Sequence, residues 1–322
     1  MSGVVGLGSL AMDVLVQVDR LPGPDGFAVV TGRDFLPGGS CSNVVAQAAR
    51  LGTAAAFIGK VGDDPLGEQI VASLRSGGVD TSGMRTLPGG TSLSTTVVVD
   101  AAGQRFILLD LGDAFATLEP AEVDTAAIAA ARVFYTDLLP GPPALAGVEA
   151  ALAAGVPVVF GLEVGLPTMH GLGVTTEQIL RVASLADAFL PCREGLAGLV
   201  GSDDLEAGLQ FLAGHCTGTS IVTLGADGAV ALSPGAGRLR VPGFPVTPVD
   251  TTGAGDAFAG AYLAFHYVDG LPVGESVRLA NAVAADSCTR LGARSGPDRS
   301  GLAAFLAQSE PAQPEGVDDV HF

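Results

Sequence analysis

The run VDTTGAGDAFAGAYLAF, Val249 to Phe265, places Gly253, Ala254 and Gly255 directly before Asp256 and a long apolar segment. From Ala257 to Val268 the strongest helix breaker is Gly260, so the spacing predicts a helix that begins at the glycines. The first amides of such a helix have no intrahelical partners. Together with the helix dipole they form a site for an anion such as a phosphate. Asp256 then has two readings. An acid in a first helical turn is favoured by the dipole and can serve only as a cap. Beside a bound phosphate, its carboxylate can instead take the proton of a hydroxyl whose oxygen attacks phosphorus in line, while the amides stabilise the transferring group.

Two other stretches compete for a phosphate. Gly6-Leu7-Gly8-Ser9-Leu10-Ala11 matches the loose dinucleotide fingerprint, but that loop must open a helix, and the following residues alternate like a strand as far as Pro22. GTAAAFIGKV places Gly59-Lys60 as a P-loop would. Ala54 stands where its first glycine belongs, and Val61 replaces the hydroxyl residue that would hold magnesium.

The chain of 322 residues has a net charge of −18, with Lys60 its single lysine. Such acidity argues against nucleic acid and anionic membrane as partners. Cys41, Cys192, Cys216 and Cys288 are scattered, and the four histidines lack metal-ligand spacing. The cysteines read as reduced core residues of a cytoplasmic protein. No secretory signal is expected, because no basic region precedes the N-terminal apolar run.

Strand-like and helix-like segments alternate from GVVGLGSL onward, which predicts an α/β fold with a largely parallel central sheet and helices on both faces. Two β-rich stretches, 14–35 and 93–109, break the alternation and are expected to form a small second sheet. The second contains a hairpin signal at Asp100-Ala101-Ala102-Gly103. Residues 1–13, 36–92 and 110–307 would make the main domain. The tail 308–322, polar and acidic, reads as disordered.

DTTGAGDAFAGA, Asp250 to Ala261, resembles the C-terminal signature of the ribokinase-like sugar kinases, the phosphofructokinase-B group. PGGSCSNVVAQAARLG, Pro37 to Gly52, resembles their N-terminal signature, and the likeness runs from about Val4 to Phe305. The resemblance implies a ribokinase-like fold with a β lid, and an ATP-dependent kinase acting on a sugar or polyol hydroxyl with Mg²⁺. It implies Asp256 as catalytic base and the amides of Gly253, Ala254, Gly255 and Asp256 as the anion hole. Asp13, Gly38, Gly39 and Asn43 match sugar-binding positions, and Asp137 is the acid nearest another. Thr223, Gly225, Gly228 and Asn281 match nucleotide contacts. Asp250 and Thr252, with backbone near Gly292, match a monovalent-cation site, for K⁺, found in many members. Each position also has a plainer reading: Asp13 as a turn acid, Asn43 as a helix cap, Gly225 and Gly228 as a tight turn, Arg105 as an exposed charge.

The sequence departs from the family where an Asn-x-x-Glu pattern organises magnesium. Cys192 and Gly195 stand at those positions, and Gly161 and Gly165 replace an acid and an arginine on the preceding strand. Glu163 and Glu194 are the substitute metal-site acids. The absence of a basic cluster favours an uncharged sugar or polyol. A nucleoside kinase and a non-catalytic sugar- or nucleotide-binding relative are the alternatives. The lid edges would let two subunits pair as a homodimer.

Overall fold

The computed structural model describes residues 3–311. In chain order its strands are β1 (Val4–Leu7), β2 (Ala11–Val18), β3 (Val30–Gly38), β4 (Ala55–Gly62), β5 (Val79–Asp80), β6 (Met84–Leu87), β7 (Ser94–Asp100), β8 (Arg105–Asp110), β9 (Val133–Thr136), β10 (Val158–Leu162), β11 (Ala188–Pro191), β12 (Thr219–Thr223), β13 (Ala229–Ser233) and β14 (Gly237–Val241). The large sheet runs β14-β13-β12-β11-β10-β9-β1-β4-β5, and β6 pairs with β4. β1, β9, β10 and β11 are buried along their whole length. That explains their continuous apolar runs: a strand covered on both faces has no solvent side to make polar. Phe57, Phe134, Phe160 and Phe189 fill the core around them.

The sheet is parallel from β12 to β5, as the alternation predicts, but β13 and β14 turn back antiparallel. A short 3₁₀ turn at Gly225–Asp227 replaces the crossover helix that a parallel pairing would need. β14 was not apparent from the sequence pattern, since GRLRV is polar at most positions and lies on the sheet edge.

The second sheet has the order β3-β2-β7-β8. The hairpin signal at Asp100–Gly103 joins β7 to β8, closed by the Gly103 amide donating to the Asp100 carbonyl at 3.0 Å. Register sets Asp13, Thr95 and Leu109 side by side, with Val99 and Arg105 two pairs further along the same face. β8 is exposed throughout, and Phe106, Ile107, Leu108 and Leu109 are uncovered. Within the β-rich stretch 14–35, the second strand begins only at Val30 and runs on to Gly38.

The chain leaves β1 for β4 on one side and returns to β9 on the other. The crevice at the C-terminal ends of β1 and β9 is thus the switch point at which open α/β sheets bind ligands. β2 departs from that same end and carries the small sheet over it. Among the described residues no helix is long and apolar enough to cross a membrane. Residues 312–322, most of the tail expected to be disordered, lie outside the described residues; Gln308 closes the last helix, Arg299–Gln308.

Candidate active site

The glycine-rich run opens a helix, Ala254–Tyr262, with Gly253 as its N-cap at φ +75°. A side chain at Gly253 would be strained in that left-handed conformation, and its Cβ would stand 2.7 Å from the Ala293 Cα. The expected continuous helix to Val268 is instead α-helical to Tyr262 and then a π-helical segment, Leu263–Val268. Asp256 sits in the first turn, 7% exposed, so it is not a solvent-side cap.

Asp256 faces the helix Ser40–Arg50, whose Asn43 donates from Nδ2 to Asp256 Oδ2 at 2.8 Å. The approach is close because Gly260 has no side chain: a Cβ there would run into the Val44 carbonyl and lie 2.8 Å from the Gln47 Cβ. Burial, followed by the charge of Asp137, raises the Asp256 carboxyl above the ordinary aspartate range. Hydrogen bonds from Asn43 and Ser40 and the charge of Arg294 act in the opposite direction. A group so placed can gain and lose a proton close to neutral pH.

Asp13, on β2, accepts a hydrogen bond from Thr95 Oγ1 and lies against Gly38. Burial pushes its carboxyl up, against Thr95 and Arg294. Gly38 ends β3, and Gly39 caps the helix that carries Asn43. Asp13, Gly38, Gly39, Asn43 and Asp256 therefore gather where the small sheet meets the switch point. Asp137 follows β9, but its carboxylate is already engaged. It accepts from the Ser9 amide at 3.1 Å, from the Ser9 hydroxyl, and from the Leu139 amide at 3.1 Å. Burial nonetheless raises it to about 6. Its geometry ties β1 to β9 across the switch point.

On the other side of the helix N-terminus lies a cavity of about 490 Å³. Thr223, Gly225, Gly228 and Asn281 line it together, and so do Ala254 and Gly255 of the helix N-terminus. Phe244, Phe258, Ala284 and Ala285 give it apolar walls suited to a planar ring. Asn281 spends its amide donor on the Val241 and Pro242 carbonyls, both at 3.1 Å, and so ties its helix to the end of β14.

Asp250 accepts the Thr252 amide with one oxygen and the Gly292 amide with the other, each at 2.9 Å. It thereby joins the two loops expected to share a cation. Burial alone would raise its carboxyl, but those bonds and the charge of Arg105 hold it below the usual range. Glu163 follows β10, where its Oε1 accepts from the Tyr135 hydroxyl at 2.7 Å. Burial, then the charge of Asp256, raises its carboxyl. Glu194 follows β11, is exposed, and lies against Gly165 in the Glu163 loop. Among the described residues no three His, Cys, Asp or Glu side chains converge on one point. Lys60, the false P-loop lysine, is paired with Glu122 at 2.9 Å.

Sequence reasoning missed Arg294, Ser9 and Tyr135. Each acts through a partner far along the chain, and no local pattern marks them.

The model of the pfkB family carbohydrate kinases matches residues 1–299. An ATP-dependent ribose-1-phosphate kinase of Halopiger xanaduensis is 34% identical over 308 residues, covering 95% of this chain and 98% of that one. A fructokinase of Klebsiella pneumoniae is 32% identical over 283 residues, covering 85% and 89%. Among solved structures, a provisional Ribokinase II of E. coli, in complex with ATP and Mg²⁺, superposes with a TM-score of 0.82 at 23% identity, covering 96% and 100%.

Proposed function

We propose, on the premise that this chain belongs to the pfkB family of carbohydrate kinases, that Asp256 is the general base of an ATP-dependent sugar kinase. One observation carries this reading. The buried Asp256 carboxylate stands at a helix N-terminus between the ring-sized cavity and the cluster of Asp13, Gly38, Gly39 and Asn43. The nucleotide occupies the cavity lined by Thr223, Gly225, Gly228 and Asn281, with its terminal phosphate at the amides of Gly253, Ala254, Gly255 and Asp256. Asp13 and Asn43 orient the sugar so that one hydroxyl points at Asp256. Asp256 takes that proton as the oxygen attacks phosphorus, and the amides, already oriented, hold the charge on the transferring group. Asp137 acts behind the sugar site, fixing the crevice through Ser9.

Glu163 and Glu194 offer hard oxygens from the ends of neighbouring strands and suit Mg²⁺, whereas the soft thiol of Cys192 does not. A cation held there would supply charge neutralisation on the nucleotide phosphates. Asp250 and Thr252, with the Gly292 loop, would hold K⁺. The small sheet closes over the sugar and excludes water. Its uncovered β8 edge pairs with a second copy; sedimentation equilibrium showing only monomer would remove that part of the reading. The four cysteines are free thiols, in keeping with a cytoplasmic setting.

A sugar phosphate is the second reading. It is favoured by the ribose-1-phosphate kinase relative and by Arg105, whose charge reaches Asp250 from the small sheet. The test is ADP release with ATP and Mg²⁺ over a panel of fructose, ribose, ribose 1-phosphate, polyols and nucleosides. The proposal expects turnover with a sugar or sugar phosphate. Turnover confined to nucleosides, or binding with no ADP across the panel, would overturn it.

A further inference from the structure

We infer that Arg294 is a positioning residue for phosphoryl transfer: it fixes the Asn43 amide, and through it the Asp256 carboxylate, and it sets a positive charge against the acids around that carboxylate. Arg294 lies in the loop between the helices Val273–Ser287 and Arg299–Gln308. Its Nε donates to Asn43 Oδ1 at 2.8 Å, Nη1 to Ser73 Oγ at 3.0 Å, and Nη2 to Ser42 Oγ at 2.8 Å and the Gly38 carbonyl at 3.4 Å.

A guanidinium only donates and an ionised carboxylate only accepts. An asparagine held between the two therefore has one satisfied orientation, with its oxygen on Arg294 and its nitrogen on Asp256 Oδ2. Ser40 adds a second hydrogen bond to the same carboxylate, so Asp256 is held from the helix Ser40–Arg50 at two residues. The same guanidinium grips Gly38 at the root of the small sheet, so base and sugar loop share one anchor.

Charge adds to geometry. Asp137 beyond β9 and Glu163 beyond β10 face Asp256, and Asp13 on β2 shares the cation. Ser40, Cys41 and Asn43 face it from the helix Ser40–Arg50 and carry no charge near neutral pH. Burial lowers Arg294 only to about 10, so it is protonated wherever the base works.

The inference rests on Asp256 being the base, and the test separates the two. kcat is measured against pH for the wild type, Arg294→Gln and Arg294→Lys, with KM for ATP and thermal unfolding alongside. Arg294→Gln should lose kcat by about 100-fold and move the acidic limb about one unit to higher pH, because a close charge is gone and the carboxylate has lost its brace. Arg294→Lys keeps the charge but not the fork. Its limb should stay in place while kcat falls by about tenfold. KM for ATP should be unchanged in both. A folded Arg294→Gln with wild-type kcat and limb overturns the inference. Should that variant not fold, Arg294→Lys decides: reduced kcat with an unmoved limb supports the inference, and unaltered kcat overturns it. If Asp256→Asn keeps turnover, the base assignment fails on its own account.

Discussion

Asn43 and Asp256 lie 213 positions apart and meet in a buried hydrogen bond of 2.8 Å. The bond joins the two signature segments of the chain. Its length depends on how closely the helices Ser40–Arg50 and Ala254–Tyr262 approach, and Gly260 sets that distance.

Replacing Gly260 by Val should push those helices apart. Forcing extra methyl groups into a packed interface costs about 1–3 kcal/mol, so the urea midpoint should fall. kcat should drop by more than the stability loss explains under folding conditions, because Asn43 no longer reaches Asp256. A variant with lowered stability and wild-type kcat would show that the bond has no catalytic part.

The proposed assignment of the cavity to the nucleotide can be tested without touching Asp256. Ala285 lines the cavity wall, and Ala285→Phe fills the space a ring would occupy. KM for ATP should rise by about tenfold or more, equivalent to at least ~1.4 kcal/mol of lost binding, while KM for the sugar stays put. A change confined to the sugar KM would mean that the cavity has been assigned to the wrong substrate.

These relationships differ in how far the sequence reveals them. Gly253 to Asp256 could be read locally, because an anion site at a helix start is built from consecutive amides. Thr223, Gly225, Gly228 and Asn281 were named as nucleotide contacts from motif likeness, and they line one cavity. Asp137 was expected at the sugar site, but its bond to Ser9 was not foreseen, since Ser9 lies 128 positions away and serine has no distinguishing spacing there. Arg294 was invisible for the same reason: its partners lie 221 to 256 positions off. GAVALS reads as a strand and is β13, but its antiparallel direction and the edge strand β14 were missed, because an edge strand with arginines facing solvent lacks a strong apolar run.

The buried acids should leave a mark on stability against pH. Asp137, Glu163 and Asp256 all have carboxyls raised by burial. A raised folded-state value means the folded protein holds the proton more tightly than the unfolded chain. The resulting stability is complete below the unfolded value near 4 and is lost as pH climbs through the folded values. Acids held low, such as Asp64 and Asp250, titrate below this window. Denaturant midpoints should therefore decline between pH 5 and 8, and Glu163→Gln should flatten the decline. An identical slope in the variant would contradict the raised Glu163 carboxyl that its burial implies.

The central claim is that Asp256 removes the proton from the attacking hydroxyl. Rapid-quench single-turnover kinetics of Asp256→Asn, with ATP affinity measured in parallel, tests it most directly. Asparagine keeps the size of the side chain but cannot accept the proton. The rate of phosphoryl transfer should fall by about 10²–10⁴-fold, with ATP affinity close to that of the wild type. Transfer at the wild-type rate in a folded, ATP-binding Asp256→Asn would contradict the account.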